Sequence, residues 1–373
     1  MSDFTRILQH FTIKMAYNYQ RIVIKIGSNV LTQKDGLPDL NRINHLVEQI
    51  AKIKKQGKEV ILVSSGAVAS GRSLIKISEK FDSIATRQLF ASIGQVKLIN
   101  TYAQQFEKYN ILCSQVLVTK EDFRDRLHYL NMKNCLKILL QHNVVPVVNE
   151  NDVVSVTELM FTDNDELAGL IATMLNAQAL IVLTNVDGIY DGDPGKENTR
   201  VIEEVSGKTL DFSSFVSDDR SQFGRGGMIT KSTMAQKVAQ LGIAVHIANG
   251  TRENILLDVL EDKVAHTHFV PNKSASGKKK WIAHAGHYAK GIVQVNDGAR
   301  AALTSAKASS LLPVGVISIL SEFKKGEIIK LVDENNKHIG LGIAEYGSDK
   351  AAEMIGKKNQ KPLVHYDYLY LES

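Results

Sequence analysis

From residue 21 to about 260, short runs of β-branched and apolar residues alternate with longer stretches of helical period. The runs are Ile22–Ile26, Val60–Val63, Ile111–Val118, Val144–Val148, Leu180–Leu183 and Ala244–Ala248, four to eight residues each. That is the length and texture of strands buried on both faces. Between them, the stretch Leu40–Gln56 is followed by Gly57 and the stretch Ile84–Tyr109 by Asn110, residue types that take the left-handed turn closing a helix. The alternation predicts an α/β fold with a mostly parallel open sheet sandwiched between helices. In such sheets ligands gather beyond the carboxyl ends of the strands, so the polar residues after each apolar run are the ones that can carry chemistry.

The pattern lapses at His266–Lys280, which has no apolar period and reads as a linker. Beyond it short strands are punctuated by Gly286, Gly291, Gly298, Gly315, Gly326, Gly340 and Gly342, the texture of a small β-rich barrel-like module. A chain of 373 residues exceeds the usual size of one core. The expected organisation is an extension over 1–20, an α/β domain over 21–262, a linker over 263–280 and the β-rich module over 281–373.

Composition narrows the class. Hydrophobic residues at 44% and charged residues at 23% belong to an ordinary globular protein and exclude long disorder or a fibre. No apolar run is long enough to span a bilayer. Cys113 and Cys135 provide neither a disulfide framework nor a metal-binding pair, as in a reducing compartment, so the expected location is cytoplasmic. Residues 1–20 lack the apolar core and small-residue cleavage site of a secretory signal, and Met15 is an alternative start. The net charge of +5 is uneven: 30 basic against 30 acidic residues in 1–271, and 15 against 10 in 272–373. Only the C-terminal part therefore hints at a polyanionic partner, with a merely solvated basic face as the commoner cause.

The candidate chemistry starts at Lys25, a lone cation between Ile24 and Ile26 in a run that ends at Gly27. A buried ammonium needs an anionic partner, and a glycine after a strand lets phosphate approach the backbone. After Val60–Val63 comes Ser64-Ser65-Gly66-Ala67, small residues opening a helix, where free amides and hydroxyls bind anions or simply cap. After Val144–Val148 comes Asn149-Glu150-Asn151-Asp152, and Thr162-Asp163-Asn164-Asp165-Glu166 then starts a helix. Capping explains some of these acids but not two acid-and-amide clusters so close on the ligand side. Thr184-Asn185 follows Leu180–Leu183, and Arg225-Gly226-Gly227-Met228-Ile229-Thr230-Lys231 leads into another helix with a second lysine. Two lysines, acids and glycine loops on one sheet edge suit phosphoryl transfer. There is no Gly-x-x-x-x-Gly-Lys-Ser/Thr loop, and the first turn has no Gly-x-Gly-x-x-Gly fingerprint. Those absences argue against a P-loop kinase and a dinucleotide dehydrogenase.

In this order the segments Val23–Ser28, Val63–Ala67, Pro146–Asp152, Asp163–Asp165 and Gly226–Lys231 resemble the amino-acid kinase family. The C-terminal part, through Lys280-Trp281-Ile282, Ser309–Pro313 and Gly326-Glu327, resembles a PUA domain. The combination implies ATP-dependent phosphorylation of the γ-carboxylate of L-glutamate to γ-glutamyl phosphate, the first step of proline biosynthesis. It also implies Mg2+, commonly feedback inhibition by proline, a homo-oligomer, and transfer of the labile product to glutamate-5-semialdehyde dehydrogenase. By position, Lys25 and Lys231 would neutralise the transferring phosphoryl group and Asp165 would orient both. Ser65, Asp152 and Asn164 would hold glutamate, while Lys25, Thr184, Asn185 and Arg225 through Lys231 would border the nucleotide. No protein-held metal site is implied. Asn185 stands where the family often has aspartate, and Arg225 where a small residue is common, departures that touch nucleotide contacts only.

The chemistry agrees with this reading. A carboxylate nucleophile with a reference pKa of about 4.3 is ionised at neutral pH and needs no general base. Correspondingly, no histidine lies in the five segments. Three alternatives stay open: a related kinase acting on another carboxylate, a catalytically dead regulator, and an RNA-binding protein acting through the C-terminal module. The last rests on the +5 excess alone, which falls short of a basic stripe.

Overall fold

The computed structural model describes residues 17–76, 82–155, 161, 163–192, 199–206, 227–272, 282, 289–305 and 309–371. They fall into two compact units. One holds the described residues of Met1–Thr119, Cys135–Ala172 and Ala177–Asn272; the other holds those of Lys120–Asn134, Thr173–Asn176 and Lys273–Ser373.

The apolar runs of the first unit form β1 (Arg21–Ile26), β2 (Glu59–Ser64), β3 (Cys113–Val118), β4 (Val145–Glu150) and β5 (Ala179–Thr184). Two further strands of its sheet are β6 (Glu204–Val205) and β7 (Ala244–Asn249), and the last is β8 (Thr267–Phe269). The sheet order is β3-β4-β2-β1-β5-β7-β8-β6. All pairings are parallel except β7 with β8. β1 is the pivot, with β2 on one side and β5 on the other, so Lys25 lies in register with both Val63 and Val182. Strand order reverses here, and the carboxyl ends of β4, β2, β1, β5 and β7 form one continuous edge.

Helices between the strands complete the layers: α1 (Ser28–Leu31), α2 (Leu40–Lys55), α3 (Ala67–Arg72), α4 (Ser83–Glu107), α5 (Glu121–Arg124) and α6 (Arg126–Gln141). They continue with α7 (Asn164–Met174), α8 (Met228–Gln240) and α9 (Ile255–Leu260). α4 starts where Asp82 Oδ1 accepts from the amides of Ile84 and Ala85 at 2.8 and 2.7 Å, and the chain turns away at Asn110, φ 56°. α3 and α4 touch backbone to backbone: a Cβ on Gly94 would lie 1.8 Å from Ala67 O, and one on Gly71 2.0 Å from Phe90 O. Beneath the sheet edge Ile22, Ile24, Leu46, Ile50, Leu62, Leu98, Tyr102 and Phe106 form a closed core.

Two differences from the sequence reading follow from the same physics. Residues 267–269, inside the stretch read as a linker, form β8, and Tyr17, inside the expected extension, donates its amide to Leu260 O at 2.8 Å. A strand of three residues has no periodicity to read; it exists because β7 and β6 supply its ladder. The expected linker residues 273–280 lie outside the described set.

In the second unit the C-terminal residues form β9 (Gly291–Val295), α10 (Asp297–Thr304), β10 (Val316–Ser321), β11 (Ile328–Val332), β12 (His338–Ile343), α11 (Ser348–Met354) and β13 (Leu369–Leu371). The expected β-rich barrel is, in its hydrogen-bonded ladder, a five-stranded sheet of order β10-β9-β11-β12-β13. It packs around Val293, Val295, Ile329, Leu331, Leu363 and Val364.

Candidate active site

β1 runs buried to its end, and there Lys25 reaches out over Gly27. Lys25 is 4% exposed, which would be costly alone. Its partner is Asp165, in the first turn of α7, at 2.6 Å from Nζ to Oδ1. The other oxygen of the same carboxylate meets Lys231 Nζ at 2.9 Å. Asp165 is fully buried, and burial by itself would push its carboxyl up; the two ammonium groups outweigh that and hold it below its ordinary value. One anion thus fixes two cations whose segments lie 206 residues apart, since 231 − 25 = 206. The two lysines outnumber the one carboxylate that bridges them. Gly27 donates its amide to Leu183 O at 3.1 Å. A Cβ there would lie 3.2 Å from that oxygen and 3.5 Å from Lys25 Nζ, so a larger residue would crowd the cation.

Lys231 belongs to the first turn of α8, which Gly227 opens with extended backbone (φ −66°, ψ 175°) and no side-chain cap. Met228, Ile229 and Thr230 follow, Ile229 exposed and Thr230 donating its hydroxyl to Gly227 O at 2.7 Å. Among the described residues nothing lies within 4 Å of where a Gly227 Cβ would stand, and uncapped amides at a helix start suit an anion. Arg225 and Gly226 lie outside the described residues.

An amide network joins the ends of β2 and β4 to the start of α7. Asn164 Nδ2 donates to Ser65 Oγ at 2.8 Å and to Asn149 Oδ1 at 3.1 Å, and Asn149 Nδ2 donates to Gln95 Oε1 at 2.9 Å. Ser65 stands on the turn whose Gly66 takes φ 105°, a conformation that favours glycine. Since Ser65 Oγ already accepts, its own hydrogen is left for another acceptor. Asp163 caps α7, its Oδ1 accepting from the amides of Asp165 and Glu166 at 2.9 and 3.0 Å. Among the described residues its buried Oδ2 has no hydrogen-bond partner, and burial together with Asp165 holds the carboxyl above its ordinary value.

Asp152, 9% exposed, sits two residues past β4 and is bonded to Arg87 Nη2, which also contacts Glu150 Oε2 at 3.1 Å. Glu150 is raised by burial, against bonds from Ser155 Oγ at 2.6 Å and the Phe161 amide at 2.9 Å. At the end of β5, Thr184 Oγ1 lies 3.3 Å from Asn185 Oδ1. Beside them Asp187 takes two bonds from Arg252, at 2.8 and 2.6 Å, and one from Asn249 at 2.9 Å.

The structure therefore gathers Lys25, Lys231 and Asp165 in one ionic cluster and Ser65 with Asn164 in one network. Asp152 stands on the same strand edge beside Arg87. The sequence reading passed over Arg87, Gln95 and Arg252, each distant in the chain from the residue it holds. Asp187 lay within reach, three residues after Thr184, but its bidentate partner did not.

Comparison with known proteins places this geometry. The model of the amino acid kinase family matches residues 20–249, and that of the PUA domain residues 291–366. A glutamate 5-kinase of Bacteroides thetaiotaomicron is 51% identical over 96% of this chain and 100% of its own length. A glutamate 5-kinase of Chlorobaculum tepidum is 48% identical over 95% of this chain and 98% of its own. Among solved structures, the carbamate kinase from Giardia lamblia bound to AMP-PNP is 20% identical over 68% of this chain and 99% of its own, with a TM-score of 0.48. With more than half of its length matched by the first model and its relatives aligned almost end to end, the chain belongs to the amino acid kinase family and carries a PUA domain after its kinase region.

Proposed function

We propose that this chain is a glutamate 5-kinase, transferring the γ-phosphoryl group of ATP to the γ-carboxylate of L-glutamate in the first step of proline biosynthesis. The observation that carries the chemistry is the Lys25–Asp165–Lys231 cluster, two cations held by one buried anion at 2.6 and 2.9 Å. A glutamate γ-oxygen attacks the γ-phosphorus; that O–P bond forms as the bond to the β–γ bridging oxygen breaks, and ADP leaves with the electron pair. No proton moves, so the protein's task is to bring an anion to a polyanion in line. Lys25 and Lys231 lower that barrier by standing where negative charge gathers, already oriented by Asp165.

In this reading the uncapped start of α8 and the Thr184–Asn185 turn border the nucleotide, and Ser65 with Asn164 takes up glutamate. Asp152 meets the α-ammonium that distinguishes free glutamate from an N-acylated relative. Mg2+ bound with the nucleotide would supply neutralisation of phosphate charge. Among the described residues no group of three or more His, Cys, Asp or Glu forms a metal cage. Asp163, whose buried Oδ2 has no hydrogen-bond partner among the described residues, is the residue that would hold the ion. Feedback inhibition by proline, homo-oligomerisation, a cytoplasmic location and hand-over of the acyl phosphate to glutamate-5-semialdehyde dehydrogenase belong to the same proposal. No described helix is long and apolar enough to cross a membrane.

The test is glutamate-dependent ADP release, with aspartate and N-acetylglutamate as competing substrates, repeated in the presence of proline. Turnover on another carboxylate but not on glutamate would overturn the assignment.

A further inference from the structure

Three side chains of α4 hold the end of β4 and the turn that follows it. Gln95 accepts from Asn149 Nδ2 at 2.9 Å, Arg87 binds Glu150 and Asp152, and Gln88 Nε2 donates to Val153 O at 2.6 Å. The helix is a stiff ruler for that turn, because the glycine crossing with α3 leaves no room for it to shift.

Arg87 is the one charged group among these three ties. It lies one turn inside the N-terminus of α4, where a cation gains nothing from the helix dipole. Its use is in what it faces. Glu150 and Asp152, 6% and 9% exposed, stand two residues apart at the end of β4. Two such carboxylates push each other toward the protonated form. Oε1 of Glu150 is occupied by Ser155 Oγ and the Phe161 amide, while Oε2 faces Arg87; Asp152 Oδ1 faces Arg87 as well. The guanidinium offsets part of the charge of the two carboxylates it bridges and leaves Asp152 as an anion suited to an ammonium. Removing the guanidinium takes a counter-charge away from both carboxylates in a partly dehydrated space, which favours uptake of a proton by one of them.

We propose that Arg87 is a positioning residue for substrate selection, holding Asp152 and Glu150 together as carboxylates and aiming Asp152 at the α-ammonium of the amino-acid substrate. This rests on the glutamate kinase reading.

The experiment is steady-state kinetics of the full-length protein with Arg87→Met and Arg87→Lys, across pH values from about 6 to about 9. Arg87→Met is expected to raise the KM for glutamate roughly tenfold to a hundredfold near neutrality, as for loss of a charge-assisted contact. The kcat at saturating glutamate and the KM for ATP stay close to wild type. The raised KM falls again as pH increases, because the carboxyl that took up a proton releases it, a trend the wild type lacks. Arg87→Lys restores most of the affinity. A glutamate KM for Arg87→Met at or below the wild-type value overturns the proposal. So does a raised KM with the wild-type pH profile, which a purely structural role would give. If Arg87→Met does not fold, Arg87→Gln removes the charge while keeping a donor and must show the same pH trend. Wild-type protein without glutamate-dependent ADP formation refutes the kinase reading itself, a result distinct from active wild type with an indifferent variant.

Discussion

In the proposed mechanism the contact of Lys231 strengthens as charge moves onto the bridging and transferring oxygens. Lys231→Ala is therefore expected to lower kcat about a hundredfold or more while the KM for glutamate changes far less. Near-normal turnover would remove it from the mechanism. Asp152→Asn keeps shape and deletes charge; it should raise the KM for glutamate by a factor corresponding to about 2–5 kcal/mol and leave that for ATP nearly unchanged. A capping role alone would instead lower the melting temperature at constant affinity. Away from the site, His246 is fully buried, donating from Nδ1 or accepting there against His266 Nε2 at 3.0 Å, with Tyr19 OH at 3.1 Å from its Nε2. Burial, then His268 and His266, hold its pKa well below 6.5. The unfolded chain protonates this group at about 6.5 and the folded one does not, so its stabilisation is complete above that pH and lost as pH falls below it. Melting curves from about pH 7.5 to about pH 5 should show the decline beginning near 6.5, above the carboxylate range; a flat profile there would contradict it. Lys25 was legible because a charge inside an apolar run is anomalous. Arg87 was not, because one arginine on a solvated helix is ordinary until the fold puts two acids against it.

Elements show the same division. The strands β1 to β5 and β7 and the long helices α2 and α4 were legible from period and from Gly57 and Asn110, since burial on both faces or on one stripe writes itself into sequence. What α4 does for the site was not. Its side chains reach Asn149, Glu150, Asp152, Val153 and Ser64, the last through Tyr102 OH at 2.8 Å, and its position depends on the glycine crossing. Gly94→Ala would place a methyl carbon 1.8 Å from Ala67 O. Separating α3 from α4 to relieve it is expected to cost about 1–3 kcal/mol or more. The variant should melt earlier and bind glutamate more weakly, because the Ser64–Ala67 turn and the β4 turn move apart. Unchanged melting and unchanged KM would show that the crossing is not the constraint.

For the whole molecule, every group assigned to the chemistry that the structure describes lies in the unit ending at Asn272, and the five-stranded sheet lies in the other. A chain truncated after Asn272 is expected to retain glutamate-dependent turnover, measured as hydroxamate formed from glutamate, ATP and hydroxylamine. A soluble, folded truncation without turnover would mean that the C-terminal part is needed for chemistry.

By itself the sequence determined the class of the fold, the α/β order followed by a β-rich part, and the segments that carry charge and glycine at strand ends. These are local: a strand buried on both faces must be apolar, a turn with positive φ favours glycine, and a misplaced lysine needs an anion. Only the tertiary structure decided which groups meet. Asp165 joins Lys25 to Lys231 because β1, α7 and α8 converge at the point where the sheet order reverses. Arg87 meets Asp152 across 65 residues because side chains of α4 reach the end of β4, just as Arg252 meets Asp187 across the same span beside β5 and β7. Pairings of this kind depend on distances set by packing between elements, and no spacing along the chain records them.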